Sequence, residues 1–235
     1  MNVRRKRIIK FCMATLLMFM CGYFAIIHCK TTTVQAAELT KIKVSNRTYY
    51  LKNPYGSNRS YLYQKTSGGN KLVARISRDL SYRFVYGKKI YFSSGNEGAT
   101  GYTYSYTVGK SGFRCEKSSF YTMSHRGKYA VGYVGGVPGN PVPSPLGILN
   151  LSTKKIKKLG NGCDIKFIGQ KIYYATISND RKTMRIICCN ASGSSKKVIK
   201  TFRAGNSSKF VYVFNITCHQ ASYYNEKWQI RTVRY

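Results

Sequence analysis

The chain has 235 residues and carries 40 Lys and Arg against 7 Asp and Glu, a formal net charge of +33. So few acids argue against a paired-carboxylate active site, an EF-hand or a multi-Asp metal cluster. With 43% hydrophobic and 14% aromatic residues, the chain is too apolar for a disordered basic tail and long enough to bury a real core.

The first segment reads as an address. Arg4, Arg5, Lys6, Arg7 and Lys10 precede an uncharged, mostly apolar run from Phe11 to Ile27. The stretch Val34-Gln35-Ala36-Ala37 follows, with the short residues that signal peptidase accepts. The expectation is a signal helix and signal peptide over 1–36, cleaved between Ala36 and Ala37, and export of residues 37–235 to the cell surface or medium. The alternative for the same segment is an uncleaved anchor, since the run is near the lower length limit for a span. In that case it would be the tie to the membrane. Cys21 and Cys29 lack the small preceding residues of a lipobox.

Without residues 1–36 the chain keeps 34 bases and all 7 acids. It also keeps five cysteines, Cys115, Cys163, Cys188, Cys189 and Cys218. An odd number cannot form a complete disulfide framework. There is no C-x-x-C pair, and the only histidines here are His125 and His219, so neither a metal nor a cofactor is expected. The cysteines read mostly as small buried hydrophobes, with a single bridge left open. Cys188 and Cys189 would point to opposite faces of a strand and are not expected to bond to each other.

From residue 39 on, a short strand-like phrase recurs. It reads Thr48-Tyr49-Tyr50-Leu51, Ile90-Tyr91-Phe92-Ser93, Tyr129-Ala130-Val131-Gly132, Ile172-Tyr173-Tyr174-Ala175 and Ile216-Thr217-Cys218-His219, at steps of about 41 residues. A turn and a base usually precede it, as in Ser45-Asn46-Arg47, Gly87-Lys88-Lys89 and Arg126-Gly127-Lys128. An apolar strand precedes that turn at Ile42–Val44, Phe84–Tyr86, Phe167-Ile168 and Phe210–Tyr212, so the pair reads as a hairpin. Third strands are expected at Tyr61–Tyr63, Tyr102–Tyr104, Gly147–Leu149, Met184–Ile186 and Trp228–Ile230. Fourth strands are expected at Leu72-Val73, Phe113–Cys115, Ile156–Leu159 and Val198-Ile199, with none in the fifth unit. Four strands in about 41 residues is the period of a propeller blade. In Tyr102–Val108 the three Tyr share one face and Thr103, Ser105 and Thr107 the other, so the Tyr face is expected to pack against a neighbouring blade.

On these phrases, Ile90-Tyr91-Phe92-Ser93 and Ile172-Tyr173-Tyr174-Ala175 above all, residues 39–235 resemble the bacterial secreted propellers of the low-density-lipoprotein-receptor type and the TolB-like type. The resemblance implies an all-β, β-propeller-like array of about five four-stranded blades. The Trp-Thr-Asp ending of the receptor proteins is missing, so their Asp-centred bonding between blades is not implied. Five units are also fewer than the six or more usual in such propellers.

Signals for chemistry are sparse. The acids Glu38, Asp79, Glu97, Glu116, Asp164, Asp180 and Glu226 are spread along the units, with no two within four residues of one another. His125, His219, Asp79 and Cys218 could meet only in space, and no local catalytic signature marks them. The Gly- and Pro-rich stretch Gly135–Pro145 is a stiff loop rather than a phosphate cradle. Basic runs occur at Arg75–Arg83, Lys88-Lys89, Lys154–Lys158, Arg181–Arg185 and Lys196–Lys200. Taken together, they make a field that gathers polyanions. The expected function is a non-catalytic secreted or surface binding module for an anionic envelope polymer or a protein partner. Nucleic acid is a possible partner that no motif favours, and the ligand surface is not assigned. Two alternatives stay open. One is an extracellular hydrolase or lyase on an acidic polysaccharide, using His125, His219 or a Tyr as base. The other is a truncated structural propeller completed by a second chain.

Overall fold

The structure is a computed structural model that describes residues 38–95, 100–136, 144–178, 182–203, 212–225 and 227–235. The expected signal segment and its Ala36–Ala37 boundary lie outside the described residues, as do Phe210 and Val211. Among the described residues there is no helix, and eighteen strands form four antiparallel sheets.

The first sheet is β1 (Glu38–Val44), β2 (Arg47–Asn53), β3 (Ser60–Thr66) and β4 (Gly69–Ile76), in that order. The second is β5 (Ser81–Tyr86), β6 (Lys89–Ser94), β7 (Tyr102–Thr107) and β8 (Arg114–Ser118). The third has seven strands: β9 (Phe120–Arg126), β10 (Tyr129–Val134), β11 (Ser144–Asn150), β12 (Ile156–Ile168), β13 (Lys171–Ile177), β14 (Thr183–Asn190) and β15 (Lys197–Arg203). The last has three: β16 (Tyr212–Ile216), β17 (Gln220–Tyr224) and β18 (Ile230–Arg234).

The expected separation of the third and fourth units is corrected here. Their strands at Ile156–Leu159 and Phe167-Ile168 are two halves of the single 13-residue strand β12. Its first half pairs with β11 and closes unit three. Its second half pairs with β13 and opens unit four. The chain passes between them through Gly160 at φ +124° and a register shift after Gly162. At Gly162 a Cβ would lie 2.0 Å from the Ala175 carbonyl oxygen, so only glycine lets β12 run this close to β13. Unit three also has a first strand, β9, which no apolar phrase announced.

The fifth unit is shifted from its expected register. Ile216 ends β16 and is fully buried, and Thr217–His219 is turn rather than strand. The Thr217 hydroxyl accepts from the backbone N–H groups of His219 and Gln220, which lengthens this turn relative to the others. The second strand is therefore β17. The third begins at Ile230, with Trp228 in the preceding turn at φ +58°.

Four cores join five units in sequence. Between units one and two lie Ile42, Tyr49, Leu51, Leu62, Ile90, Phe92, Tyr104 and Tyr106, with Tyr49 and Tyr106 edge to face at 5.5 Å. Between two and three lie Phe84, Tyr91, Phe120, Ala130 and Leu149. Val131, Leu146 and Ile148 meet Ile165, Ile172 and Tyr174 between three and four. Ala175, Met184 and Ile186 meet Val213, Ile216 and Ala221 between four and five. Each fully buried side chain of this size stabilises by about 1.5–3 kcal/mol. The alternation in β7 is as expected: Tyr104 and Tyr106 face unit one, and buried Thr103 faces unit three, bonding the Phe120 carbonyl at 2.7 Å.

Candidate functional site

In a four-stranded meander the first and third turns fall at the same end of the sheet. Four of the first turns share one conformation. Ser45, Gly87, Gly127 and Gly169 each open a two-residue hairpin, with φ of 51°, 58°, 52° and 58°. Positive φ at the first turn position alone is the type II′ pattern that suits the twist of paired strands. It sets Asn46, Lys88, Lys128 and Gln170 at the four tips. Units one and two bring these turns side by side, because Ser45, Asn46, Arg47, Lys88, Val108 and Gly109 line one open cavity of about 350 Å³. Units three and four do the same: His125, Arg126, Gly127, Lys128, Tyr129, Gln170 and Ala191 line another of about 650 Å³. Lys157 ties the third turn of unit four to unit three, donating to the Gly193 carbonyl at 2.9 Å.

The result is a cationic rim. Arg47, Lys88, Lys110, Arg126, Lys128, Lys155, Lys171 and Lys196 are all exposed in turns or at strand ends of this edge. Lys128 lies 5.8 Å from the Tyr129 ring centre, and Arg126 bonds Gln170 of the next unit. Among the described residues none of these eight has a carboxylate partner; the ion pairs belong to Lys89 and Lys154. Both go to Glu116, at 2.6 and 2.5 Å, and the Ser105 hydroxyl adds a bond of 2.7 Å. Burial alone would raise the Glu116 pKa. The bonds from Lys154, Lys89 and Ser105 and the Lys154 charge outweigh that and hold it at about 2. Glu116 is thus an ionised, covered strut between units two and three. It does not offset the charge of the exposed rim.

The residues considered for catalysis are not assembled. His125 lies flat on Phe84 of unit two, ring centres 3.8 Å apart, with Tyr86 at its edge at 6.4 Å. Burial lowers its pKa, partly opposed by a backbone hydrogen bond with Val85. It is a packing joint at the edge of the larger cavity. His219 and Cys218 are exposed in the β16–β17 turn, and Asp79 is exposed in the β4–β5 loop. Among the described residues neither histidine is bonded to a carboxylate, and no cluster of His, Cys, Asp or Glu could hold a metal ion. Among the described residues no disulfide joins two cysteines: Cys163, Cys188 and Cys189 are buried, and Cys115 and Cys218 are exposed. The sequence signal that marks the rim is the base at each hairpin. What it does not reveal is that these bases converge on one edge.

No protein-family model matches the chain, and no curated protein matches it. Solved structures do resemble it in fold. The chain is similar, at 13% identity and a TM-score of 0.51, to a chain in the S. cerevisiae complex of dbp5 bound to nup159, gle1, ip6 and adp, covering 80% of this chain and 52% of that one. It is also similar to TolB from Acinetobacter baumannii (11% identity, TM-score 0.43, covering 79% and 50%). A third likeness is to an oligogalacturonate lyase in complex with manganese (8% identity, TM-score 0.45, covering 79% and 61%). The last two are β-propeller-type proteins. The chain spans about half of the first two and under two thirds of the third. Likenesses at this identity bear on fold alone; the successive antiparallel meanders of the four sheets are what describe an all-β, propeller-like architecture.

Proposed function

We propose that this chain is a non-catalytic, exported binding module that holds an anionic cell-envelope polymer on its hairpin rim. The observation that carries the reading is the rim itself: exposed bases recur at one edge of successive units, while Glu116 there is covered and already bound by two lysines. Held this close, like charges repel one another and attract counter-ions, and a polyanion that neutralises them binds with release of bound ions and a gain in ion entropy. The shallow, open cavities between turns suit a chain-like ligand better than an enclosed small molecule.

The test is retention of the protein on isolated envelope as salt is raised. Retention is expected to fall steeply, and Lys88→Glu with Lys128→Glu should lower the slope of log affinity against log salt by about 1 per residue. Retention that ignores salt would remove the polyanion reading and leave protein recognition. The competing readings have their own readouts. Turnover of an acidic polysaccharide that His125→Ala abolishes would point to a hydrolase or lyase. A solution mass of two chains would point to a propeller completed by a partner copy.

A further inference from the structure

Among the described residues, the core shared with unit two covers one face of the first sheet, and the other face carries a regular pattern. Ile42, Val44, Tyr49, Leu51, Leu62 and Ala74 point into the core shared with unit two. By alternation, Leu39, Lys41, Lys43, Thr48, Tyr50, Lys52, Tyr61, Tyr63 and Arg75 lie on the opposite face. The register lines them up across the strands. Lys41 is opposite Tyr50, Tyr50 opposite Tyr63, and Tyr63 opposite Leu72. One step along, Leu39 is opposite Lys52, Lys52 opposite Tyr61, and Tyr61 opposite Arg75.

The tyrosines therefore stand on the two central strands, with cations beside and between them. Tyr50, Tyr61 and Tyr63 are half-buried, and Leu39 and Leu72 are exposed. Among the described residues, no ring contact, cation–π contact or side-chain hydrogen bond engages these three tyrosines. Among the described residues no ion pair engages Lys41, Lys43, Lys52 or Arg75, and no carboxylate lies on the face. At its lower edge Arg59, Tyr61, Arg75, Ile76 and Ser77 line an open groove of about 420 Å³.

We propose that this free face of the first sheet is a platform for single-stranded nucleic acid, with bases stacked on Tyr50, Tyr61 and Tyr63 and phosphates met by Lys41, Lys43, Lys52, Arg59 and Arg75. Two requirements of such a ligand are met together. Unpaired bases need aromatic rings on an accessible, nearly flat surface, and central strands of a sheet provide that. The backbone needs cations on both sides of the rings, and charge complementarity supplies it. A duplex would hide its bases from the rings. A second copy of this chain would bring five like charges against five, which opposes docking. An acidic glycan would satisfy the cations but offers saturated sugar faces, which cover a ring less completely than a planar base does.

The experiment uses the full chain in mild detergent. Its probes are a labelled oligothymidylate of about 12 nucleotides, within the site size of known single-strand binders, and inorganic polyphosphate. Tyr50→Leu, Tyr61→Leu and Tyr63→Leu are each expected to weaken oligothymidylate about tenfold. Polyphosphate affinity should stay unchanged, and each Tyr→Phe variant should bind as the parent does. Equal loss for both probes, or loss for neither, overturns the proposal in favour of a charge-only surface such as an acidic glycan would use. Light scattering that shows a dimer dissociated by Tyr61→Arg overturns it in favour of a second copy. If a variant does not fold, photocrosslinking of a bromodeoxyuridine oligonucleotide to the parent protein decides. Adducts on Tyr50, Tyr61 or Tyr63 uphold the platform, and adducts confined to the hairpin turns 87–89 and 126–128 overturn it.

Discussion

Replacing Glu116 by Gln is expected to loosen the joint between units two and three. The side chain is 2% exposed, accepts hydrogen bonds from Lys89 and Ser105 and forms an ion pair with Lys154 at 2.5 Å. Lys154 belongs to the β11–β12 turn, so the bond crosses from one sheet to the next. A carboxyl held at about 2 instead of its usual 4.5 corresponds to about 3 kcal/mol as an upper limit. The two ammonium side chains are 31% and 32% exposed, and water screens them, which reduces the figure to about 1–2 kcal/mol. Losing the charge also leaves two lysines facing each other, so about 2 kcal/mol is the expected cost, or about 4–8 °C in Tm for a body of this size. The pH dependence follows from the sign of the shift. The folded pKa lies below the unfolded one, so the contribution is complete above about pH 4.5 and is lost as pH falls through about 2. Thermal melts of the parent and Glu116→Gln should differ at neutral pH and converge in acid. Equal Tm values at pH 7, or a gap that survives at pH 2, would refute the account.

Three further expectations concern the frame. Gly162→Ala places a Cβ 2.0 Å from the Ala175 oxygen and 2.5 Å from Leu146 Cδ1, so denaturant unfolding should show a loss above about 2 kcal/mol, whereas Gly68→Ala, with open space around it, should change little. Thiol labelling of the folded protein, read by peptide mass, should modify Cys115 and Cys218 first. Cys163 and Cys189 should wait for unfolding, since burial both covers them and raises each thiol pKa to about 11. For His125 the folded pKa is lowered, so its contribution is present above the usual 6.5 and lost as pH falls below it. His125→Gln should flatten the decline of Tm between about pH 8 and pH 5, and an unaltered slope would show that the stack on Phe84 does not govern protonation.

Much of the frame was legible in residue order because it is written locally. The Tyr-x-Tyr-x-Tyr run of β7 needs only period-two geometry to sort its faces, and Gly-Lys or Gly-Gln before an apolar pair needs only turn chemistry. β9 has no apolar phrase to mark it, because Ser124, His125 and Arg126 break the pattern, and what holds His125 in a strand is the ring of Phe84 in another unit. In the fifth unit Ile216 followed by Thr217 imitates the start of a second strand, although Ile216 ends the first. Only the hydrogen bonds of Thr217 show it to be a turn. The break expected between Leu159 and Phe167 is absent because Gly160 bends the strand without ending it. Residue order carries the amount of charge but not its sorting. Which bases share an edge, and which face of the first sheet stays uncovered, depends on how sheets stack, and no window of sequence contains that.

The continuity of β12 has a mechanical consequence. Units one and two are connected by the loop 77–80, which can open while each sheet keeps its ladder. Units three and four share a backbone that is hydrogen-bonded on both sides of Gly162, so one cannot lose its pairing without fraying the other. The middle of the array should open as a single cooperative block, the slowest to exchange its amide hydrogens and the last to yield under pulling force. The outer sheets can then peel or adapt to a ligand while the central pair keeps the rim in register.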